Sequence, residues 1–170
     1  MLTKRIIPTL LLRNESLVKT LKFNQFRYIG DPCNTVRIFN ELEVDELLFL
    51  DIVATKLGRG PNYKILEDIA NECFMPLAYG GGIESLDQAK RIFDLGFEKI
   101  SINTSSLRNP SLITELSSLY GSQSLICSID VKKDLFGRYK IYNKNVQNHY
   151  KFEIATVSYT HLTLPTIYSV

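Results

Sequence analysis

Asp51, the triplet Gly80-Gly81-Gly82, the pair Asn103-Thr104 and Asp130 are the residues of this sequence whose types and spacing could do chemistry. Each closes a short apolar run, and subtracting positions 51, 82, 103 and 130 gives gaps of 31, 21 and 27 residues. A glycine triplet lets backbone approach a ligand without Cβ atoms, and a helix following it offers its positive end, which suits a phosphate. A tight turn would use the same residues. Asn103 and Thr104 would add amide, hydroxyl and backbone donors around the same anion. Asp51 and Asp130 are carboxylates at the ends of apolar runs, where an unpaired buried charge is costly, so each either caps the following turn or faces a ligand. Lys19 lies in a long polar and aromatic segment and either closes on a second phosphate or stands solvated.

These gaps imply the elements that must position the residues. A strand, a turn and a three-turn helix together take about 25 residues, so one βα unit repeats. Strands joined this way run parallel, and their C-terminal marks collect on one rim, where a (βα)8 barrel keeps its chemistry. Arg5, Glu46 and Lys99 fall at the opposite ends of three of these strands and would meet around the barrel axis. Two cations and one anion there either plug the bottom by ion pairing or line a hole.

Strands are expected over residues 5–12, 46–51, 77–80, 99–103 and 125–130. The first reads as buried on both faces because it is apolar nearly throughout. Residues 13–30, with Lys19, Lys22, Phe23, Phe26, Arg27 and Tyr28, read as a long loop and a candidate lid. Gly30-Asp31-Pro32 then supplies a turn, a capping carboxylate and a proline at the first helical position, ahead of an amphipathic helix through Val36, Phe39 and Leu42. Further helices are expected over residues 63–73, after a Ser85 cap and up to Gly96, and from Asn109-Pro110 to Gly121. Past Asp130 the alternation describes a hairpin turning near Gly137. That makes five strands and four helices in the barrel pattern.

With 170 residues, 45% hydrophobic and 22% charged, the composition is that of one globular domain. A net charge of +2, with Lys and Arg scattered among Asp and Glu, gives no field for nucleic acid. No apolar stretch approaches the roughly 20 residues of a membrane helix, and the N-terminus lacks a signal-peptide core, so no membrane is expected and the location is read as cytoplasmic. Cys33, Cys73 and Cys127 are odd in number and widely spaced, which points to free thiols rather than a disulfide or a metal site. No metal or cofactor is expected.

Eight strands need at least about 200 residues, so the fold class is α/β, a truncated (βα)8 TIM barrel with about five of eight strands. Residues 157–166 resemble the translation of a common transposon sequencing adapter. The expectation is that residues 1–156 are the N-terminal part of a phosphate-binding barrel and 157–170 a non-native tail, so His161 carries no role. Open strand edges would favour a weakly folded, aggregating or dimerising chain without turnover.

Read together, residues 4–7, 17–19, 30–32, 45–52, 80–83, 99–103 and 128–131 resemble the cyclase subunit of imidazole glycerol phosphate synthase, a (βα)8 barrel of histidine biosynthesis, over residues 1–145. The resemblance implies a heterodimer in which a glutaminase subunit sends ammonia through the barrel to a phosphorylated ribulosyl intermediate. It implies that Arg5, Glu46 and Lys99 form the ammonia entrance, that Lys19 is the mobile-loop lysine, that Gly82, Asn103 and Thr104 bind phosphate, and that Asp130 is one of two catalytic aspartates. At the position of the other stands Leu11, which cannot transfer a proton. Residues 7–12, 17–20, 28–32 and 38–40 resemble instead a divergent branch found with surface-polysaccharide genes and thought to assist amidation of a sugar. The expectation is that branch, with true histidine biosynthesis and a non-catalytic scaffold for the glutaminase as alternatives.

Overall fold

A computed structural model describes residues 5–21, 25–133, 137, 139–141 and 167–169. Its centre is five parallel strands joined in sequence order: β1 (Thr9–Arg13), β4 (Leu47–Asp51), β5 (Leu77–Gly80), β6 (Lys99–Ile102) and β7 (Leu125–Lys133). On the far side of β1 an antiparallel hairpin adds β2 (Ser16–Leu21) and β3 (Gln25–Gly30). Beyond β7 lie β8 (Tyr139–Ile141), antiparallel, and β9 (Ile167–Ser169), parallel. The helices are α1 (Pro32–Glu41), α2 (Tyr63–Glu72), α3 (Leu86–Asp94), α4 (Thr104–Arg108) and α5 (Ser111–Tyr120).

Two register rows cross the parallel sheet. Leu10, Phe49, Tyr79, Ile100 and Leu125 form one continuous row, and all five are buried. They belong to the core between sheet and helices, where they meet Val36 of α1, Leu66 and Ile69 of α2, Ala89 and Ile92 of α3, and Leu112, Ile113 and Leu116 of α5. Leu11, Leu50, Gly80, Ser101 and Ile126 form the alternate row. Successive side chains of a strand point to opposite faces, so this second row looks into the curl of the half-barrel.

Local chemistry sets the helix ends. Asp31 accepts from the Asn34 backbone N–H at 2.9 Å with Pro32 in the first turn, and Ser85 accepts from Gln88 N at 3.3 Å. Gly121, with φ +82°, ends α5. Arg37 of α1 clasps the Glu72 carboxylate of α2 through two nitrogens at 2.8 Å, which holds the Glu72 carboxyl below the usual carboxylate range.

The sequence expectations hold for the five parallel strands, the four longer helices and the hairpin after β7, where Gly137 has φ +75°. Three features differ. The first strand begins at Thr9 rather than at residue 5: Ile6 and Ile7 are exposed, and the Ile6 N–H goes to Asp45 Oδ2 at 2.7 Å instead of to a neighbouring strand. Residues 13–30 are a β-hairpin rather than a loop, with 22–24 outside the described residues. A short helix, α4, fills the stretch before α5. Most of the tail expected over 157–170 also lies outside the described residues. Among those described, no helix is long and apolar enough to cross a membrane.

Candidate functional site

The strand C-termini and the inward row enclose an open cavity of about 580 Å³, within the range of small-molecule sites. Asp51, Gly80, Gly81, Gly82, Asn103, Thr104 and Asp130 all line it. Parallel pairing is the reason: strands that run the same way, each followed by its own crossover, bring residues 79 positions apart to one rim.

Asn103 directly follows β6 and its side-chain amide donates to Asp130 Oδ2 at 3.1 Å. Both are half-buried on the cavity wall. Thr104 follows as the first residue of α4, and Ser105 Oγ donates to the Ile83 carbonyl, which ties the β6 end to the end of the glycine segment. The cluster therefore offers a carboxylate, an amide and a hydroxyl within one small volume. A group there can accept a proton at Asp130 or bind an anion at the amide and hydroxyl.

Asp51 has a different task. Its Oδ1 accepts from the backbone N–H groups of Val53 and Ala54, each at 2.9 Å, and Oδ2 pairs with Arg59 Nη2 at 3.0 Å. With its carboxylate 3% exposed and both oxygens engaged, Asp51 shapes the β4–α2 turn. The glycine triplet packs onto that turn. A Cβ at Gly81 would lie 2.6 Å from the Asp51 carbonyl, and one at Gly82 would lie 2.7 Å from the Arg59 carbonyl; their φ values, +126° and +68°, also exclude ordinary side chains. Tyr79 completes the brace by donating its hydroxyl to the Gly81 carbonyl at 3.0 Å. Burial pushes the Tyr79 phenol far above its usual range, so it remains a donor.

Of the remaining expected residues, Lys19 is exposed on β2 and does not line the cavity, whereas its neighbour Thr20 does. At the opposite end of the sheet Lys99 pairs with Glu46, which is 1% exposed. Glu46 Oε1 has no hydrogen-bond partner among the described residues. Arg5 is exposed, ahead of β1, and no ion pair between it and Glu46 is present. The three cysteines are free. Among the described residues no His, Cys, Asp and Glu cluster could hold a metal ion.

The cavity also holds residues that the spacing of marks did not single out: Lys56, Ser101 and Ser128. Ser101 and Ser128 stand two residues before Asn103 and Asp130, so the two-residue period of a strand could have found them. Lys56 gave no signal beyond a lysine in a βα turn.

A parallel βα sheet curled around a rim-side cavity defines a TIM-barrel chain with its polar residues at the strand C-termini. Residues 5–165 match the histidine biosynthesis protein family, and the chain belongs to it, in the line of the imidazole glycerol phosphate synthase cyclase subunit. It is 50% identical over 145 residues to a Pseudomonas aeruginosa protein provisionally named imidazole glycerol phosphate synthase subunit hisF2, covering 85% of this chain and 58% of that one. A similarly named Leptospira borgpetersenii HisF is 55% identical over 138 residues, 81% of this chain and 54% of that one. The imidazole glycerol phosphate synthase subunit HisF of Geobacillus thermodenitrificans is 39% identical over 155 residues, 91% and 62%. The chain thus spans a little over half the length of these relatives.

Proposed function

We propose that this chain is the synthase-type subunit of a glutamine amidotransferase complex, receiving ammonia from a glutaminase partner and delivering it to a phosphorylated sugar in surface-polysaccharide synthesis. The observation that carries this reading is the carboxylate inventory of the cavity. Among the described lining residues only Asp51 and Asp130 are acids, Asp51 is occupied by its turn and Arg59, and Leu11 lines the cavity from β1, the neighbour of β4. Ring closure by paired carboxylates needs a second acid able to move protons, and none stands there. A site that keeps donors for an anion beside a single carboxylate outside that turn, Asp130, suits ammonia transfer better than imidazole formation.

In this reading Asn103, Thr104 and the backbone of Gly80–Gly82 bind phosphate, Asp130 takes the proton that the nitrogen releases once ammonia has bonded to the ligand carbon, and Glu46, Lys99 and Arg5 guard the ammonia entrance. Lys19 closes over the ligand when the hairpin moves. Residues 157–170 are a non-native tail, an idea that an uninterrupted native reading frame through Val157–Thr166 at the genomic locus would refute.

The experiment is an assay of the chain with glutaminase, glutamine and either a phosphoribulosyl substrate or phosphorylated sugars. Sugar-dependent stimulation of glutamine hydrolysis without imidazole formation is the expected result. Imidazole formation would return the chain to histidine biosynthesis. Activation of the glutaminase that ignores every phosphorylated compound would make it a scaffold.

A further inference from the structure

Along the inward register row Leu11 of β1 and Leu50 of β4 are apolar, Gly80 of β5 has no side chain, Ser101 of β6 is polar and Ile126 of β7 is apolar again. Toward the rim Asn103, Ser128 and Asp130 make the β6–β7 half the more polar one, while Thr9, Thr20 and Asp51 edge the apolar half formed by Leu11 and Leu50. The boundary is fixed by packing. A Cβ at Gly80 would lie 2.8 Å from both Leu50 Cδ2 and Ser101 Cβ, so the two halves meet there with no room for a side chain between them.

Above the apolar half the β2–β3 hairpin brings in Phe26, which also lines the cavity. Its ring is not left to find its own position. The Arg13 guanidinium sits 4.2 Å from the ring centroid, a cation–π contact that restrains the ring. Leu11, Leu50 and the oriented Phe26 ring thus form an apolar patch, edged by Thr9, Thr20 and Asp51, in a cavity whose β6–β7 part carries an amide, hydroxyls and a carboxylate.

We infer that the ligand is a phosphorylated ring with an uncharged, C–H-rich face, the ring lying against Leu11, Leu50 and Phe26 and the phosphate on the Asn103–Thr104 side. The inference rests on the phosphate reading above and adds the shape of the rest of the molecule. A hydroxyl pressed onto an apolar wall loses its water without gaining a partner, and each one so placed weakens binding. An open-chain polyol phosphate would carry several hydroxyls against Leu11 and Leu50, whereas a ring can turn its apolar face to them. Phe26 is then a specificity-determining residue and Arg13 a positioning residue behind it.

The test titrates the 170-residue chain with inorganic phosphate, ribitol 5-phosphate and phenyl phosphate by calorimetry. Phenyl phosphate should bind about tenfold more tightly than ribitol 5-phosphate. Phe26→Ala should remove most of that advantage and leave inorganic phosphate binding within about twofold, while Phe26→Leu, apolar but without the ring, should fall between. Arg13→Gln should weaken phenyl phosphate alone. Equal or tighter binding of ribitol 5-phosphate overturns the inference, as does an equal loss for all three probes in Phe26→Ala. If inorganic phosphate binds and the phenyl group adds nothing, the inference alone fails. If no phosphate compound binds, the phosphate reading fails and takes the inference with it.

Discussion

The side-chain amide of Asn103 donates to Asp130 Oδ2 at 3.1 Å and so ties the segment just after β6 to β7 along the cavity wall. The same bond fixes which way the amide faces and holds the carboxylate that would exchange a proton with a ligand. Asn103→Asp would set two carboxylates against each other, and like charges at that separation repel anions as well as one another. Phosphate affinity should drop by about tenfold or more, against a several-fold loss for Asn103→Ala, which removes a donor alone. Titration with inorganic phosphate checks both. Wild-type affinity in Asn103→Asp would place the anion elsewhere.

Two glycines at the cavity should tolerate alanine far less well than Gly96, which stands in open space. Gly82→Ala combines φ +68° with a Cβ 2.7 Å from the Arg59 carbonyl and 2.9 Å from Ala54 Cβ, so urea denaturation should show a loss of about 3 kcal/mol or outright unfolding. Gly80→Ala meets Leu50 and Ser101 and should lose a comparable amount. Gly96 has φ +96° but open space around it, so Gly96→Ala should cost only about 1 kcal/mol.

Glu46 is buried beside Lys99 at the end of the sheet away from the cavity rim. Lys99→Met leaves that carboxylate without its counter-ion, and stability at neutral pH should fall by about 3 kcal/mol. Adding Glu46→Gln in the same chain should recover most of the loss, because the neutral amide no longer needs a cation. Denaturant midpoints for the two variants decide the matter, and an additive second loss would show that the charge pair is not what the region depends on.

Stability should decline in alkaline solution. The buried Tyr79 phenol and the Cys127 thiol are both pushed up by burial, so each keeps its proton when folded at a pH where the unfolded chain has released it. The sign follows: stability is level below the unfolded values, 9.0 for Cys127 and 10.0 for Tyr79, and falls above them. Tyr79 alone contributes a slope of about 1.4 kcal/mol per pH unit above its unfolded value. Tyr79→Phe should be less stable near neutrality by about 1–2 kcal/mol, because the Gly81 carbonyl loses its donor, yet show a shallower decline above pH 10. Parallel pH curves for the two proteins would contradict this account.

Much of this architecture was legible because apolar runs and their terminators are local signals. The strand Leu77–Gly80 and the caps Asp31 and Ser85 stand where the sequence puts them. Residues 5–8 misled because apolarity says that a segment can be buried, while a strand also needs a ladder partner, and pairing with β4 begins at Thr9. The strands β2 and β3 were hidden by their mixed polar and aromatic residues, although Asn14, with φ +59° in the two-residue link between β1 and β2, carried a hairpin signature for that first turn. Within the site, spacing placed Asn103 and Asp130 on one rim but could not tell a carboxylate facing a ligand from one capping a turn. That difference depends on Arg59, eight residues beyond Asp51, and on how its loop folds back.

Because Leu10 and Leu11, Phe49 and Leu50, Tyr79 and Gly80, and Ile100 and Ser101 alternate between the helix side and the cavity side, each short strand answers to two separate demands. One set of positions must keep filling the space beneath the helices, while its neighbours are free to change what the barrel holds. A substitution at position 11 can therefore alter what the cavity accepts without renegotiating the packing one residue away.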